Sequence, residues 1–300
     1  MTFTDYNDPK KSLVLFGLQN KFDFFYNLFK QEKLPHVLML TGKKGVGKFT
    51  LINHLLTYIF DSNHYDLKNY KINDKSYFYK QYINNSFSNT IILSGNNFKT
   101  VSIEGIRALK SKILKTTISG KKRFIIFDDV DLFNKNSLNA LLKIIEEPSN
   151  NNYFILINNN TNKILETVQS RALEVKFILN ENMRVQIIKS LIETYNIEVL
   201  IDFYSSKITP GNFLIFNSIC KDNQIQIDGN FMGNFTILLD LYKKNKSLDF
   251  INLILFLTDI YFFNQKKIKE FNIAKIISNK NFIVENLNNF ILYNLNQNTL

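Results

Sequence analysis

The sequence predicts an α/β domain built on a parallel sheet, followed by two helical domains. Three observations carry this prediction. Short apolar runs typical of buried strands alternate with helical patterns in the first half, a glycine-rich turn joins one such run to a helix, and the chain beyond residue 178 has helical patterns. Strands separated by helices favour a parallel sheet that is covered on both faces. We therefore predict domains at residues 1–178, 179–225 and 226–300.

Apolar patterns in the first domain and just beyond it predict the individual elements. Strands are expected at residues 37–41, 124–127, 153–157 and 173–177, and helices at 51–60, 137–147 and 180–192. The helix at 137–147 has to end before Pro148. The run Thr209-Pro210-Gly211 predicts a sharp break, and the polar stretch 61–97 predicts no clear element. The apolar run 251–263 is too short to span a bilayer and predicts a buried helix.

Composition limits the class of protein. The 300 residues carry a net charge of +11, which favours acidic partners such as nucleic acid, but a biased genome composition explains the many lysines equally well. The single cysteine, Cys220, excludes an internal disulfide and a cysteine-rich zinc site and suits the reducing cytoplasm. Asp5 and Asp8 argue against a secretory signal, and no membrane partner is expected.

Residues 42–50 match the pattern of a phosphate-binding loop. They read Gly-Lys-Lys-Gly-Val-Gly-Lys-Phe-Thr and stand between a predicted strand and a predicted helix. In such a loop, glycines let main-chain N–H groups turn towards phosphate oxygens, and the lysine reaches the β and γ phosphates. The predicted phosphate ligands are Gly42, Gly45, Gly47 and Lys48. A glycine turn with an exposed lysine is the structural alternative.

The position after Lys48 departs from this pattern. A serine or threonine hydroxyl normally holds magnesium there, and this chain has Phe49 instead. Thr50 supplies a hydroxyl, but it stands about 100° further round the helix. We therefore expect that ATP can bind, while the usual arrangement of Mg²⁺ is in doubt.

A second group of polar residues follows two of the predicted strands. Asp128 and Asp129 end the strand at 124–127, where one carboxylate would orient magnesium and the other would polarise water. Three asparagines follow the strand at 153–157, and we select Asn158 as the candidate that senses the γ-phosphate, although any of the three could serve. A solvated loop is the alternative for both groups.

These motifs identify a family resemblance. Residues 127–133 (Phe-Asp-Asp-Val-Asp-Leu-Phe) and 137–148 (Ser-Leu-Asn-Ala-Leu-Leu-Lys-Ile-Ile-Glu-Glu-Pro) closely resemble the AAA+ subunits of clamp loaders. Residues 101–107 resemble the I-x-x-x-R stretch of this family, and 169–172 resemble its S-R-C motif with Ala172 in place of cysteine. The resemblance covers about residues 34–178 and implies an AAA+ P-loop domain, a helical lid and a C-terminal helical collar.

The resemblance implies a role within a pentamer of motor and flanking subunits that loads the sliding clamp onto primed DNA. Arg171 of the S-R-C motif would reach into the ATP site of a neighbouring subunit and stabilise transition-state charge in trans. The implied partners are the ATPase motor subunits and the delta subunit, with clamp and DNA contacted through the complex. A surface arginine paired with a local carboxylate is the structural alternative.

Three departures argue for a flanking subunit with little ATPase activity of its own. Phe49 lacks the magnesium hydroxyl, Asp129 replaces the usual glutamate, and Asn212 stands where a phosphate-sensing arginine belongs. Two rival hypotheses are an ATP-hydrolysing motor subunit of the same loader and an unrelated P-loop protein such as a nucleotide kinase. The run at 139–148 argues against the kinase.

Two further expectations concern other ligands. Members of the family often carry four zinc-binding cysteines in the region that corresponds to residues 61–97, and this chain has none, so zinc is excluded. Basic residues between 107 and 123 could face DNA phosphates in a central channel, although a solvated basic face explains them equally well. The residues selected for DNA contact are Arg107, Lys110 and Lys112.

Overall fold

The computed structural model describes residues 7–95, 122–146, 148, 151–227, 229–266 and 273–293. The chain forms two compact units, one of residues 1–197 with 209–212 and one of residues 198–208 with 213–300. The division into three domains at residues 178 and 225 stays a prediction.

A five-stranded parallel sheet forms the centre of the first unit. Its order is β4-β5-β6-β1-β7. The strands are β1 (Val37–Thr41), β4 (Thr90–Ser94), β5 (Arg123–Asp128), β6 (Asn152–Asn158) and β7 (Leu173–Lys176). All four neighbouring pairs are parallel, and Thr41 pairs with Asn158 in register. The carboxyl ends of the strands therefore meet at one edge of the sheet.

Helices cover both faces of this sheet, as the predicted α/β class requires. The covering helices are α1 (Gln19–Lys30), α2 (Lys48–Phe60), α3 (Tyr77–Ile83), α4 (Lys135–Ile145) and α5 (Glu166–Gln169), and α6 (Glu181–Tyr195) follows the last strand. Leu38 and Leu40 of β1 point to one face, and Val37 and Met39 point to the other. This alternation divides the core into an α2-side cluster, which includes Phe22, Leu38, Leu40, Leu51, Phe78 and Phe124, and an α4-side cluster, which includes Val37, Met39, Phe127, Leu141 and Val168.

The stretch after α2, for which the sequence predicts no clear element, is ordered by aromatic packing. It contains the antiparallel pair β2 (Tyr65–Asp66) and β3 (Lys71–Ile72), then α3 and the edge strand β4. Phe78 of α3 stacks on Phe60 at 5.1 Å between ring centroids and meets Phe87 edge-on at 4.8 Å. Phe60 in turn meets Phe124 of the central strand β5 at 5.8 Å. Aromatic packing therefore joins this stretch, here called the insertion, to the sheet.

The second unit is helical in its described part. Its helices are α8 (Phe231–Asn245), α9 (Leu248–Lys266) and α10 (Ile273–Tyr293), together with the larger part of α7 (Pro210–Asp222). The predicted break at Thr209–Gly211 is the start of α7, because proline is well tolerated in the first turn of a helix. In the described ranges, no helix is long and apolar enough to cross a membrane.

Candidate nucleotide and arginine sites

The phosphate-binding loop connects β1 to α2 at the carboxyl edge of the sheet. The loop spans residues 42–47, and α2 begins at Lys48. Gly45 and Gly47 have φ angles of 82° and 91°, which side chains with a Cβ rarely adopt. This left-handed backbone turns the chain sharply from the strand into the helix, as the sequence predicted.

Lys48 has the geometry of a phosphate-binding lysine. Its side chain is buried, and its Nζ donates to the main-chain oxygens of Gly42 at 2.6 Å and Lys43 at 2.8 Å. An ammonium group has three protons, so one remains for a phosphate oxygen. Burial lowers the pKa of Lys48 to about 8, while the nearby carboxylates of Asp128, Asp131 and Asp129 oppose the shift.

The residues beside Lys48 do not fit a magnesium ion held in the usual way of a P-loop. The ring of Phe49 packs against the α2-side cluster and carries no oxygen ligand. Magnesium prefers oxygen ligands in near-octahedral geometry. The described part of the chain contains no group of three or more His, Cys, Asp or Glu residues that could hold a metal ion.

Asp128 and Asp129 lie at the carboxyl end of β5, as predicted. The main-chain N–H of Asp129 donates to Oδ1 of Asp128 at 3.0 Å. Burial, together with the neighbouring charge of Asp129, raises the pKa of Asp128 to about 7. Burial also raises the pKa of Asp129, which has a left-handed backbone with a φ of 51°.

The asparagine turn after β6 contacts this acidic pair through Asn159. The Nδ2 of Asn159 donates to Oδ1 of Asp129, while Oδ1 of Asn158 accepts from the main-chain N–H of Asn160 at 2.8 Å. The side chain of Asn158, the residue selected from the sequence, therefore closes its own turn. Asn159 is the member of the trio that reaches the acids.

Asp131 is a site residue to which the sequence assigned no role. Its buried carboxylate accepts from the main-chain N–H groups of Asn159 at 3.1 Å and Thr161 at 2.7 Å. These bonds hold the asparagine turn against the end of β5. The signal in the sequence was the acidic spacing Asp129-Val130-Asp131.

The segment Thr209–Asn212 packs directly on the phosphate-binding loop and belongs to the same compact unit. Oγ1 of Thr209 donates to the main-chain oxygen of Lys44 at 2.8 Å, and the N–H of Gly211 donates to the oxygen of Gly45 at 2.8 Å. A Cβ atom at Gly45 would lie 3.0 Å from Oδ1 of Asn212. An uncharged amide therefore stands beside the loop where the family pattern has an arginine.

Arg171 lies near the amino-terminal ends of the strands, whereas the phosphate-binding loop lies at their carboxyl-terminal ends. Arg171 precedes β7, which runs parallel to β1 with Leu173 opposite Leu38. Leu38 is three residues before the carboxyl end of β1, or about 10 Å along the strand. The side chain of Arg171 is 37% exposed, with Nη1 donating to the main-chain oxygen of Thr167 at 2.9 Å and Nη2 to Oε1 of Glu146 at 2.8 Å. Its guanidinium therefore faces solvent, remote from the loop of its own chain.

Thr50 occupies the first turn of α2, where its side chain is half-buried. The residues selected for DNA contact, Arg107, Lys110 and Lys112, lie outside the described residues, as does the stretch 101–107.

Comparison with known proteins places these features in a family. The family model described as DNA polymerase III, delta subunit matches residues 17–180. DNA polymerase III subunit delta' of Buchnera aphidicola subsp. Baizongia pistaciae is 24% identical over 253 residues, which are 78% of this chain and 72% of that protein.

Two further similarities are to gamma-type proteins. DNA polymerase III subunit gamma of Buchnera aphidicola subsp. Schizaphis graminum is 30% identical over 156 residues, 52% of this chain and 42% of the relative. A solved DNA polymerase III gamma subunit-related protein from Thermotoga maritima is 14% identical, with a TM-score of 0.43 over 91% of this chain and 94% of that one.

Proposed function

The chain belongs to the DNA polymerase III delta-subunit family as a clamp-loader subunit of the delta-prime type, and from this premise we propose that it is a stator that completes a neighbour's ATP site. In this role it presents Arg171 to an adjacent ATPase subunit and helps the loader to place the sliding clamp on primed DNA. Its partners are the ATPase motor subunits and the delta subunit, with clamp and DNA engaged through the complex.

The position of Arg171 is the single observation that carries this proposal. The guanidinium is solvent-exposed near the amino-terminal ends of the strands, and the phosphate-binding loop lies at the other ends of the same strands. A cation in this place cannot serve its own loop, but it is available to a subunit that docks there. An arginine supplied in trans neutralises charge that develops on a transferred phosphoryl group.

The chain's own nucleotide site supports a structural rather than a catalytic use. Lys48 and the glycine loop can hold the phosphates of ATP. The water-polarising position carries Asp129, which is one methylene shorter than the usual glutamate, and the amide of Asn159 already occupies one of its oxygens. Phe49 supplies no oxygen ligand for magnesium, and Asn212 supplies no cation for the γ-phosphate. We therefore expect this chain to have little ATPase activity by itself.

An ATP-hydrolysing motor subunit of the same loader is the second candidate. The intact contacts of Lys48 and the 30% identity to a gamma subunit favour it. Steady ATP turnover by the isolated chain that disappears in Lys48→Ala would establish the motor. Turnover at the level of a blank would leave the stator.

The stator proposal is tested by ATP turnover of the reconstituted loader with clamp and primed DNA. Arg171→Ala is expected to lower turnover at least about tenfold, because a charge-stabilising donor is lost from the neighbouring site. Lys163→Ala is the matched control, since Lys163 is an exposed cation (83%) that precedes the same short helix. Unchanged turnover of an intact Arg171→Ala assembly would refute the role of Arg171 in trans.

A further inference from the structure

The guanidinium of Arg171 is held by two acceptors from different parts of the chain. The main-chain oxygen of Thr167 is in α5, four residues before Arg171, and it accepts from Nη1 at 2.9 Å. Oε1 of Glu146 accepts from Nη2 at 2.8 Å, and Glu146 lies at the C-terminal end of α4, 25 residues earlier. The glutamate belongs to the Glu-Glu-Pro end of the motif that identified the family, a part with no role so far.

Two bonds to different nitrogens define the plane of the guanidinium. A single bond would let the group rotate about that bond, whereas two acceptors on separate helices restrict this rotation. The guanidinium has five N–H donors in a fixed fork, so most of them remain for an anion. Thr167 and Glu146 thus each accept from one terminal nitrogen of the guanidinium and fix the direction of the remaining N–H groups.

This pair contributes little to the stability of the fold. The side chains of Arg171 and Glu146 are 37% and 47% exposed, and exposed ion pairs are screened by water. The benefit of holding an arginine in one orientation is larger for a group that must meet a phosphoryl oxygen.

We infer that Glu146 is the positioning residue for Arg171, aiming its guanidinium at the ATP site of the neighbouring subunit. The inference rests on the proposed function of Arg171 in trans. It gives the first glutamate of the Glu-Glu-Pro sequence a chemical task, because α4 delivers that carboxylate to the surface beside the arginine.

The experiment compares steady-state ATP turnover of the reconstituted loader, with clamp and primed DNA, for native chain, Glu146→Ala and Glu146→Gln. Glu146→Ala is expected to lower kcat about two- to fivefold, the scale of an exposed ion pair, with KM for ATP changed less. Glu146→Gln keeps an oxygen acceptor and should lose less. Glu166→Ala is the matched control, because it removes an exposed glutamate (82%) from α5 that pairs with Lys163 instead.

Two double variants separate aiming from mere stability. In the Arg171→Ala background, Glu146→Ala should cause no further loss, since there is no guanidinium to aim. The exchange Glu146→Arg with Arg171→Glu restores an ion pair but moves the cation, so its turnover should stay as low as that of Arg171→Ala. Recovery of turnover by the exchange would mean that only the ion pair matters, which would overturn the inference.

The outcomes also separate this inference from the stator proposal. If Arg171→Ala lowers turnover and Glu146→Ala leaves it unchanged or raises it, Arg171 acts in trans without being aimed by Glu146. An equal loss in Glu166→Ala would likewise count against a specific role for Glu146. If Arg171→Ala itself has no effect, the stator proposal and the inference both fail.

Discussion

The bond between Asn159 and Asp129 should make Asn159→Ala a pH-dependent destabilising substitution. The Nδ2 of Asn159 donates to a carboxylate that is only 3% exposed, so water cannot replace the lost donor easily. A hydrogen bond to a charged group contributes about 1.5–3 kcal/mol, and we expect a loss of about 2 kcal/mol near pH 8.

The direction of the pH dependence follows from the pKa of Asp129. Burial raises this pKa, and the bond from Asn159 opposes the rise, so the substitution raises the pKa further. A carboxyl group with a higher pKa in the folded than in the unfolded chain stabilises the fold at low pH, and this contribution is lost as pH rises through the folded pKa. The difference in unfolding free energy between native and variant should therefore shrink as the pH falls through the folded pKa of Asp129.

Urea unfolding followed by far-ultraviolet circular dichroism measures this difference at each pH. Asn162→Ala is the matched control in the same turn, because its Nδ2 donates to the uncharged main-chain oxygen of Asp131 at 3.1 Å. The control should lose less stability, and its loss should not change with pH. Equal and pH-independent losses in both variants would refute the assigned contact between Asn159 and a buried carboxylate.

Two further substitutions test the nucleotide loop and the insertion. Because the pKa of Lys48 is about 8, binding of a fluorescent ATP analogue by the isolated chain should weaken as pH rises above about 8. The variant Lys48→Ala should bind the analogue weakly and with little pH dependence. A flat pH profile for the native chain would contradict this role of Lys48. Phe78→Ala removes a ring from the stacked aromatic core and should cost about 3–5 kcal/mol in chemical unfolding. Its neighbour Tyr77 is 72% exposed, so Tyr77→Ala should change stability by no more than about 0.5 kcal/mol, and equal losses would contradict the packing described.

The buried strands of the fold were predictable because their signal is local. The run at 37–41 coincides with β1, and the runs at 124–127 and 153–157 lie inside β5 and β6. In a parallel sheet covered on both faces, nearly every side chain of a central strand is apolar, so the strand appears as a continuous apolar run. The helix at 180–192 was predicted for the same kind of reason, from its 3.6-residue periodicity.

The elements that were not predicted depend on non-local packing. β4 lies at the edge of the sheet, where its five residues are only half-buried and its sequence has no long apolar run. α3 is seven residues long and is packed through Phe78, Tyr79 and Tyr82. A short helix of this kind is marginal alone and forms because its aromatic residues find partners on α2 and the sheet.

The sequence by itself determined the chemistry that each end of the sheet can carry. Glycine spacing and Lys48 define a phosphate-binding loop, because only certain residue types allow that backbone and supply that charge. The absence of a hydroxyl at Phe49 follows directly from the chain, as does the presence of one cysteine. The runs at 127–133 and 137–148 likewise indicated the family before any contact was known.

Only the tertiary structure decided which of these groups act together. It places the amide of Asn159, and not that of Asn158, against Asp129, and it brings Glu146 to Arg171 across 25 residues. Adjacent asparagines are indistinguishable in a sequence, but their side chains leave the backbone in different directions and only one faces the acids. A carboxylate and a guanidinium so far apart in the chain become partners only because α4 and α5 end beside each other. Such pairings depend on the packing of whole elements, and residue type alone does not specify them.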